Sequence, residues 1–215
     1  KQPLDDARKR KIEEYAHVPL KHIIAAPDVE SVYQVPLIFE DQEFGNKIVH
    51  HLKLQDTVVV DWTAWKKRVH TILHAPKEVK IAIVGKYTES GSFALTDSYL
   101  SVSQALLHAA TEAGVRVKIK WIQSTLFEGD TVLGIKALED VDGVIVPGGF
   151  GAKGVEGKIK CIEYVRTQKI PFLGICYGLQ LAVVEFARNV VHLAGAHTTE
   201  VVEATPYPVV TILPT

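Results

Sequence analysis

The sequence predicts an α/β protein whose core is an open, mostly parallel sheet in a three-layer arrangement. Three observations carry that expectation. From Val79 onward, short apolar and β-branched runs alternate with amphipathic helical stretches. The runs around Val144–Val146 and Phe172–Cys176 are apolar throughout, as strands covered on both faces must be. Strands separated by whole helices cannot close as tight hairpins, so they pair in parallel through right-handed crossovers.

The elements follow in order. A charged helical stretch spans Asp5–Ala16, then come proline-punctuated segments from His17 to Phe39 and a polar helix near Asp41–His51. Thr57–Asp61 is strand-like. DWTAWKKRVHTIL (61–73) is an amphipathic helix whose Trp62, Trp65, Val69, Ile72 and Leu73 fall at helical spacing, with the tryptophans read as packing residues. Ala75-Pro76-Lys77 marks a boundary. Beyond it, VKIAIVG (79–85) is a strand, and SYLSVSQALLHAATEAG (98–114) is a helix with Gly114 in the stop position. RVKIKWI (116–122) alternates like a half-exposed strand, and DGVIVPGG (142–149) is a buried strand running into a glycine turn. VEGKIKCIEYVRTQK (155–169) is helical, IPFLGIC (170–176) is a buried strand, and YGLQLAVVEFARNVVH (177–192) is the last helix.

Composition narrows the function classes. The 215 residues are 47% apolar and 23% charged with a net charge of −1, a globular balance with no long-range pull on nucleic acid or an anionic membrane. No apolar run reaches the roughly 20 residues that span a bilayer, and the opening KQPLDDARKRKIEEY is no signal peptide. Cys161 and Cys176 lack any framework spacing, which suits free thiols in a reducing cytoplasm. The lack of methionine and the strand-like run before Thr215 suggest a portion of a longer protein.

Chemistry in such sheets gathers at the carboxyl ends of strands. Two strand ends are unusual here. VIVPGGFG lets the backbone turn sharply at Gly148 and Gly149 with N–H groups outward. G-I-C-Y-G (174–178) joins a buried strand directly to a helix, the pattern of a nucleophile elbow with cysteine at the tip. The tip residue is strained and exposed, and the positions two before and two after it meet where only small residues fit. A thiol at a helix N-terminus is favoured as thiolate. The N–H of Tyr177, with that of Gly149, can donate to an oxyanion. Cys161, mid-helix, reads as a small buried hydrophobe. Neither His192 nor His197 has the position of a catalytic base.

VPGGFGAKGVEGKI followed by IPFLGICYGLQLAVVEFARNV resembles the glutaminase domain of the CTP synthases, which are class I (triad) glutamine amidotransferases with a flavodoxin-like sheet. KYTESGSFALTDSYLSVSQAL (86–106) resembles the opening of that domain with a longer loop, and Asp28–Pro36 resembles a stretch near the end of the family's synthetase domain. The resemblance divides the chain into residues 1–54 as the end of a synthetase (amidoligase) domain, 55–78 as a linker and 79–215 as an incomplete amidotransferase domain. It implies that Cys176 attacks the side-chain amide of L-glutamine, and that Gly149, Phe150, Tyr177, Gly178, Leu179 and Gln180 line the oxyanion hole and glutamine pocket. Glu200, in a TTE stretch matching the family's STE, is implied as the holder of the substrate's α-amino group. Lys11 matches a lysine assigned to the pyrimidine triphosphate, while Asp28 and Val29 lie where the family contacts ATP.

The same resemblance implies a cytoplasmic ligase that uses ATP with Mg2+ to aminate UTP, with GTP as activator and CTP as feedback inhibitor. It implies a homodimer or homotetramer, with filaments as a further assembly, and no resident metal or cofactor in these residues. The P-loop would precede Lys1 and the catalytic His and Glu would follow Thr215, so these residues alone are expected to be inactive. Tyr177 and Leu179 replace a usual Leu and Met, His197 a usual Asn, and Ala152-Lys153 a stretch where Arg is common. Two alternatives stay open at this point: another class I amidotransferase, or a non-catalytic assembly module of the same fold.

Overall fold

The computed structural model describes residues 4–55, 59–86, 99–129 and 131–212. It separates into two compact units, Lys1–Pro76 with Gly114–Arg116, and Lys77–Ala113 with Val117–Thr215.

The first unit is helical: α1 (Asp6–Ala16), α2 (Val35–Asp41), α3 (Phe44–His51) and α4 (Thr63–His74). Asp5 caps α1 by accepting from the Arg8 N–H at 2.8 Å. The polar helix expected near Asp41–His51 is α3, starting at Phe44, and a further helix, α2, lies in the proline-punctuated segment before it. The Gln42 carboxamide is drawn away to Ala25, accepting from its N–H at 2.7 Å and donating to its carbonyl at 2.9 Å. The next residue, Glu43, turns into the left-handed region at φ 55°, and α3 starts afresh. Trp65 does pack, donating its indole N–H to the Tyr33 carbonyl at 2.9 Å, and Val69 is buried. The strand expected at Thr57–Asp61 lies partly outside the described residues, and residues 59–62 are not a strand.

The second unit contains β1 (Glu78–Gly85), α5 (Leu100–Glu112), β2 (Arg116–Gln123), α6 (Leu126–Gly129), α7 (Thr131–Lys136) and β3 (Gly143–Val146). It continues through α8 (Val155–Thr167), β4 (Phe172–Gly174), α9 (Tyr177–Asn189), β5 (His197–Thr198) and β6 (Pro208–Val210). Four strands form one sheet in the order β2-β1-β3-β4. β1, β3 and β4 are parallel, with Ile83 opposite Ile145 and Ile145 opposite Leu173. Strand alternation puts Ala82, Val84, Val144 and Val146 on one face, where they join Val155, Ile159, Ile162 and Val165 of α8 and Leu181 and Val184 of α9 in the main core. Ile81 and Ile145 take the other face, where they line an apolar cleft with Leu106 of α5. Helices therefore cover both faces of a parallel sheet, as the sequence predicts.

α8 and α9 are held side by side by a buried carboxylate. Glu185, 1% exposed, receives two N–H groups of Arg166 at 2.7–3.1 Å and the Asn189 carboxamide at 3.1 Å. That pairing raises the pKa of Arg166. Arg166→Met is expected to destabilise this unit by about 1–3 kcal/mol, since it strands a buried charge, while adding Glu185→Met should recover much of the loss. Urea unfolding of both variants reads the difference; equal loss in the single and double variants would show that the stranded Glu185 carboxylate is not the source of the cost.

Candidate active site

Strand β4 passes into α9 with no intervening loop, and Cys176 sits on the joint. Its backbone is forced to φ 53°, ψ −111°, a region a cysteine occupies only when its surroundings impose it. Two hydrogen bonds impose it here. Ile175 donates its N–H to the Val146 carbonyl at 3.0 Å, extending the β3–β4 ladder to the last residue before the turn. Gly178 then donates to the Ile175 carbonyl at 3.0 Å, closing the first turn around the thiol.

The flanking glycines are required by contact. A Cβ on Gly174 would lie 2.7 Å from the Leu179 nitrogen and 2.8 Å from the Gly178 carbonyl. A Cβ on Gly178 would lie 1.9 Å from the Val146 carbonyl oxygen. The thiol itself is exposed, whereas Cys161 is buried inside α8, where desolvation pushes its thiol up to about 12. Of the two cysteines, Cys176 is therefore the one positioned to react.

The glycine turn after β3 abuts it. A Cβ on Gly148 would stand 3.5 Å from the Cys176 Cβ and 3.8 Å from its Sγ. The backbone N–H groups of Gly149 and Tyr177 donate no hydrogen bond among the described residues. The turn is tied at three points just beyond them. Lys86, at the end of β1, donates its ammonium to the Phe150 carbonyl at 2.9 Å. Tyr177 donates its hydroxyl to the Gly151 carbonyl at 3.4 Å, and the Gly151 N–H donates to Glu200 Oε1 at 3.2 Å. Phe150 and Leu179 are exposed and Gln180 is half-buried, all around the same strand ends. The Tyr177 ring is buried in the core, so what Tyr177 presents to this surface is its backbone N–H.

Glu200 is placed by an ionic cluster at the far end of α9. Arg188 donates to the Ala196 carbonyl at 2.7 Å and to the Glu156 carboxylate at 2.9 and 3.1 Å. His197 is buried on β5, and its Nδ1 accepts the Thr198 N–H at 2.8 Å, so the neutral ring carries its proton on Nε2, 3.5 Å from Glu156. Burial, reinforced by Arg188, lowers the His197 pKa despite that carboxylate. Thr198 Oγ1 then accepts the Glu200 N–H at 3.3 Å.

The remaining sequence-derived site residues lie elsewhere. Lys11 is exposed on α1, and Asp28 and Val29 lie in the non-helical stretch that leads to Ser31, all in the first unit. His192 is exposed just past α9, and no histidine bonds Cys176 among the described residues. The loop resembling the opening of the domain falls in residues 87–98, outside the described residues. Sequence reasoning missed Lys86, Lys158 and the Arg188–Glu156–His197 cluster. The VEGKI and VEFARN words carried the signal, read as family wording without a physical role.

An exposed cysteine on a strained strand–helix joint, beside a second strand end with free N–H groups, is the arrangement for acyl transfer through a thioester. Residues 94–207, more than half of the chain, match the family profile described as glutamine amidotransferase class-I. The chain belongs to that family. Residues 1–54 of this amidotransferase match a second profile, described as CTP synthase N-terminus. It is 49% identical over 212 residues to the CTP synthase of Pyrococcus furiosus, a match covering 99% of the chain and 38% of that relative. It is 47% identical over 213 residues to the CTP synthase of Saccharolobus solfataricus, covering 98% of the chain and 39% of that relative. The chain thus spans well under half the length of these relatives. Among solved structures, the glutaminase domain of Trypanosoma brucei CTPS with bound acivicin aligns with a TM-score of 0.56 at 38% identity, covering 62% of this chain and 50% of that one. These matches bear out the family resemblance and the amidotransferase fold.

Proposed function

We propose that this chain carries the glutaminase nucleophile of a glutamine-dependent CTP synthase. The observation that carries the reading is the exposed Cys176 thiol at a positive-φ joint, with the unengaged N–H groups of Tyr177 and Gly149 beside it. In this reading the Cys176 thiolate adds to the side-chain carboxamide carbon of L-glutamine, and the oxyanion takes the Gly149 and Tyr177 N–H bonds. The C–N bond breaks as the leaving nitrogen takes up the proton the thiol has lost, ammonia departs and a glutamyl thioester remains, which water hydrolyses to glutamate and the free thiol. Phe150, Leu179 and Gln180 would face the substrate with the Gly178 backbone. Glu200 would take its α-ammonium, a task suited to a carboxylate held on the rim of the same turn.

The ammonia would be used elsewhere in the protein to aminate UTP activated by ATP, with Lys11, Asp28 and Val29 at nucleotide contacts, GTP activating and CTP inhibiting. Assembly as a homodimer or homotetramer is part of the same proposal. Among the described residues no three His, Cys, Asp or Glu side chains gather as a metal-binding set. None of the described helices is long and apolar enough to cross a membrane.

Acivicin tests the nucleophile. Incubation of the intact protein should give one covalent adduct on the Cys176 peptide by mass spectrometry, with loss of glutamine hydrolysis in step. An adduct on Cys161, or inactivation without any cysteine adduct, would overturn the assignment.

A further inference from the structure

Lys158 breaks every local rule for a lysine. It is 2% exposed, on the inward face of α8. It lies in the helix's first two turns, where the macrodipole disfavours a cation. Helical side chains lean back toward the N-terminus, and this one runs under the glycine turn after β3. Its Nζ lies 3.4 Å from where a Cβ on Gly149 would be, and 5.5 Å from the centre of the Tyr177 ring. Lys86 adds like-charge repulsion, and burial with that neighbour lowers the ammonium pKa to about 8.

Among the described residues no carboxylate forms an ion pair with it. Glu128 of α6 accepts from the Gly157 N–H, Glu156 on its own helix is taken by Arg188, and Glu185 of α9 by Arg166. Glu200 is engaged by the Gly151 N–H. A fixed positive charge left uncompensated in the interior is a cost in the resting protein, and an anion arriving at the turn removes it. Cys176 Sγ borders Gly148, and the free N–H of Gly149 is the next residue along.

We propose that the Lys158 ammonium is a built-in counter-charge for the anion formed over the Gly148–Gly149 turn, first the Cys176 thiolate and then the acyl oxyanion. Lys158 is a positioning residue in this role, since it touches neither substrate nor thiol, and the oxyanion half of the role rests on the glutaminase reading. Cleavage should fall as pH rises through about 8, where the ammonium loses its proton. The stability consequence has the opposite sense. The folded protein binds this proton more weakly than the unfolded chain, whose lysine keeps it to 10.5, so the charge burdens the fold below about 8 and the burden fades toward pH 10.

The test uses Lys158→Met and Lys158→Arg in the intact protein. Lys158→Met should slow iodoacetamide alkylation of Cys176 at neutral pH by about tenfold, and lower glutamine kcat by a similar factor with ammonia-dependent turnover unchanged. It should also raise the thermal transition of the amidotransferase unit at pH 7, with the gain shrinking as pH rises. Lys158→Arg should restore alkylation and carry activity past the pH at which the wild type fades. An alkylation rate and pH profile unchanged in Lys158→Met would overturn the proposal, as would a lowered thermal transition at pH 7, which would mark a merely structural lysine. Alkylation reads the thiolate without substrate, so slowed alkylation in a protein that does not hydrolyse glutamine would support the counter-charge and refute only the glutaminase reading.

Discussion

On the function proposed above, Cys176→Ala is expected to lower glutamine-dependent CTP formation by at least about 10³-fold while ammonia-dependent formation persists. The size of the effect follows from the geometry. The joint offers one exposed thiol, and the other cysteine is buried with its pKa pushed up to about 12, so no second thiol can substitute. The fold should barely register the change, because the side chain fills no core position and the backbone at this joint is set by the Ile175 and Gly178 hydrogen bonds. Parallel assays with glutamine and with ammonium chloride separate the two activities. Loss of both would mean that the substitution damages more than the nucleophile, and loss of neither would remove Cys176 from the mechanism.

The second large effect belongs to a residue with no side chain. Gly178→Ala places a methyl 1.9 Å from the Val146 carbonyl oxygen, which already accepts the Ile175 N–H. Neither side can yield cheaply, since β3 is buried along its whole length and the first turn of α9 is pinned to β4. The expected cost is about 3 kcal/mol or more, with Cys176 turned out of place in whatever remains folded. Gly129→Ala is the matched control, as its Cβ would meet nothing within 4 Å. Urea unfolding of the two variants checks this; a loss at residue 178 no greater than at residue 129 would show that the joint is softer than its contacts imply.

Much of this architecture is legible in the sequence because burial on both faces leaves a plain mark. β3 is a continuous apolar run and β1 is one from Ile81 onward, whereas β4, which reads as a buried strand, leaves Leu173 54% exposed; α5, α8 and α9 carry their apolar residues at helical spacing. The short α6 and α7 leave no such mark. A helix of four or six residues has too few turns to establish a period, and these two are held by Phe127 and Leu138 in the core. β6 falls in the strand-like run before Thr215, but β5 is silent, being two residues long and paired with a shift of register at His197/Thr198. The split between α2 and α3 depends on Gln42 reaching Ala25, a contact between segments that no local pattern encodes.

The site divides along the same line. The thiol is legible because its geometry is built from neighbours in sequence, two glycines and a strand–helix junction. The charge beneath it is not, because a lysine in a helix is ordinarily solvated, and only the fold reveals that residue 158 points inward. Glu200 falls between these cases. Its residue type suits an ammonium, but its tie to Gly151 depends on β5, Arg188 and Glu156, which lie far apart in the chain.

The cluster around Arg188 also changes what the helix after the thiol is for. Cys176 precedes α9 at one end, and Glu185 and Arg188 anchor its other end to α8 and to the chain entering β5. A helix of 13 residues is about 18–20 Å long, so the sulfur is steered like the blade of a rudder whose tiller sits at the opposite end. Side chains at the tip can then change without losing the heading, because the helix's direction is set at the end farthest from the thiol.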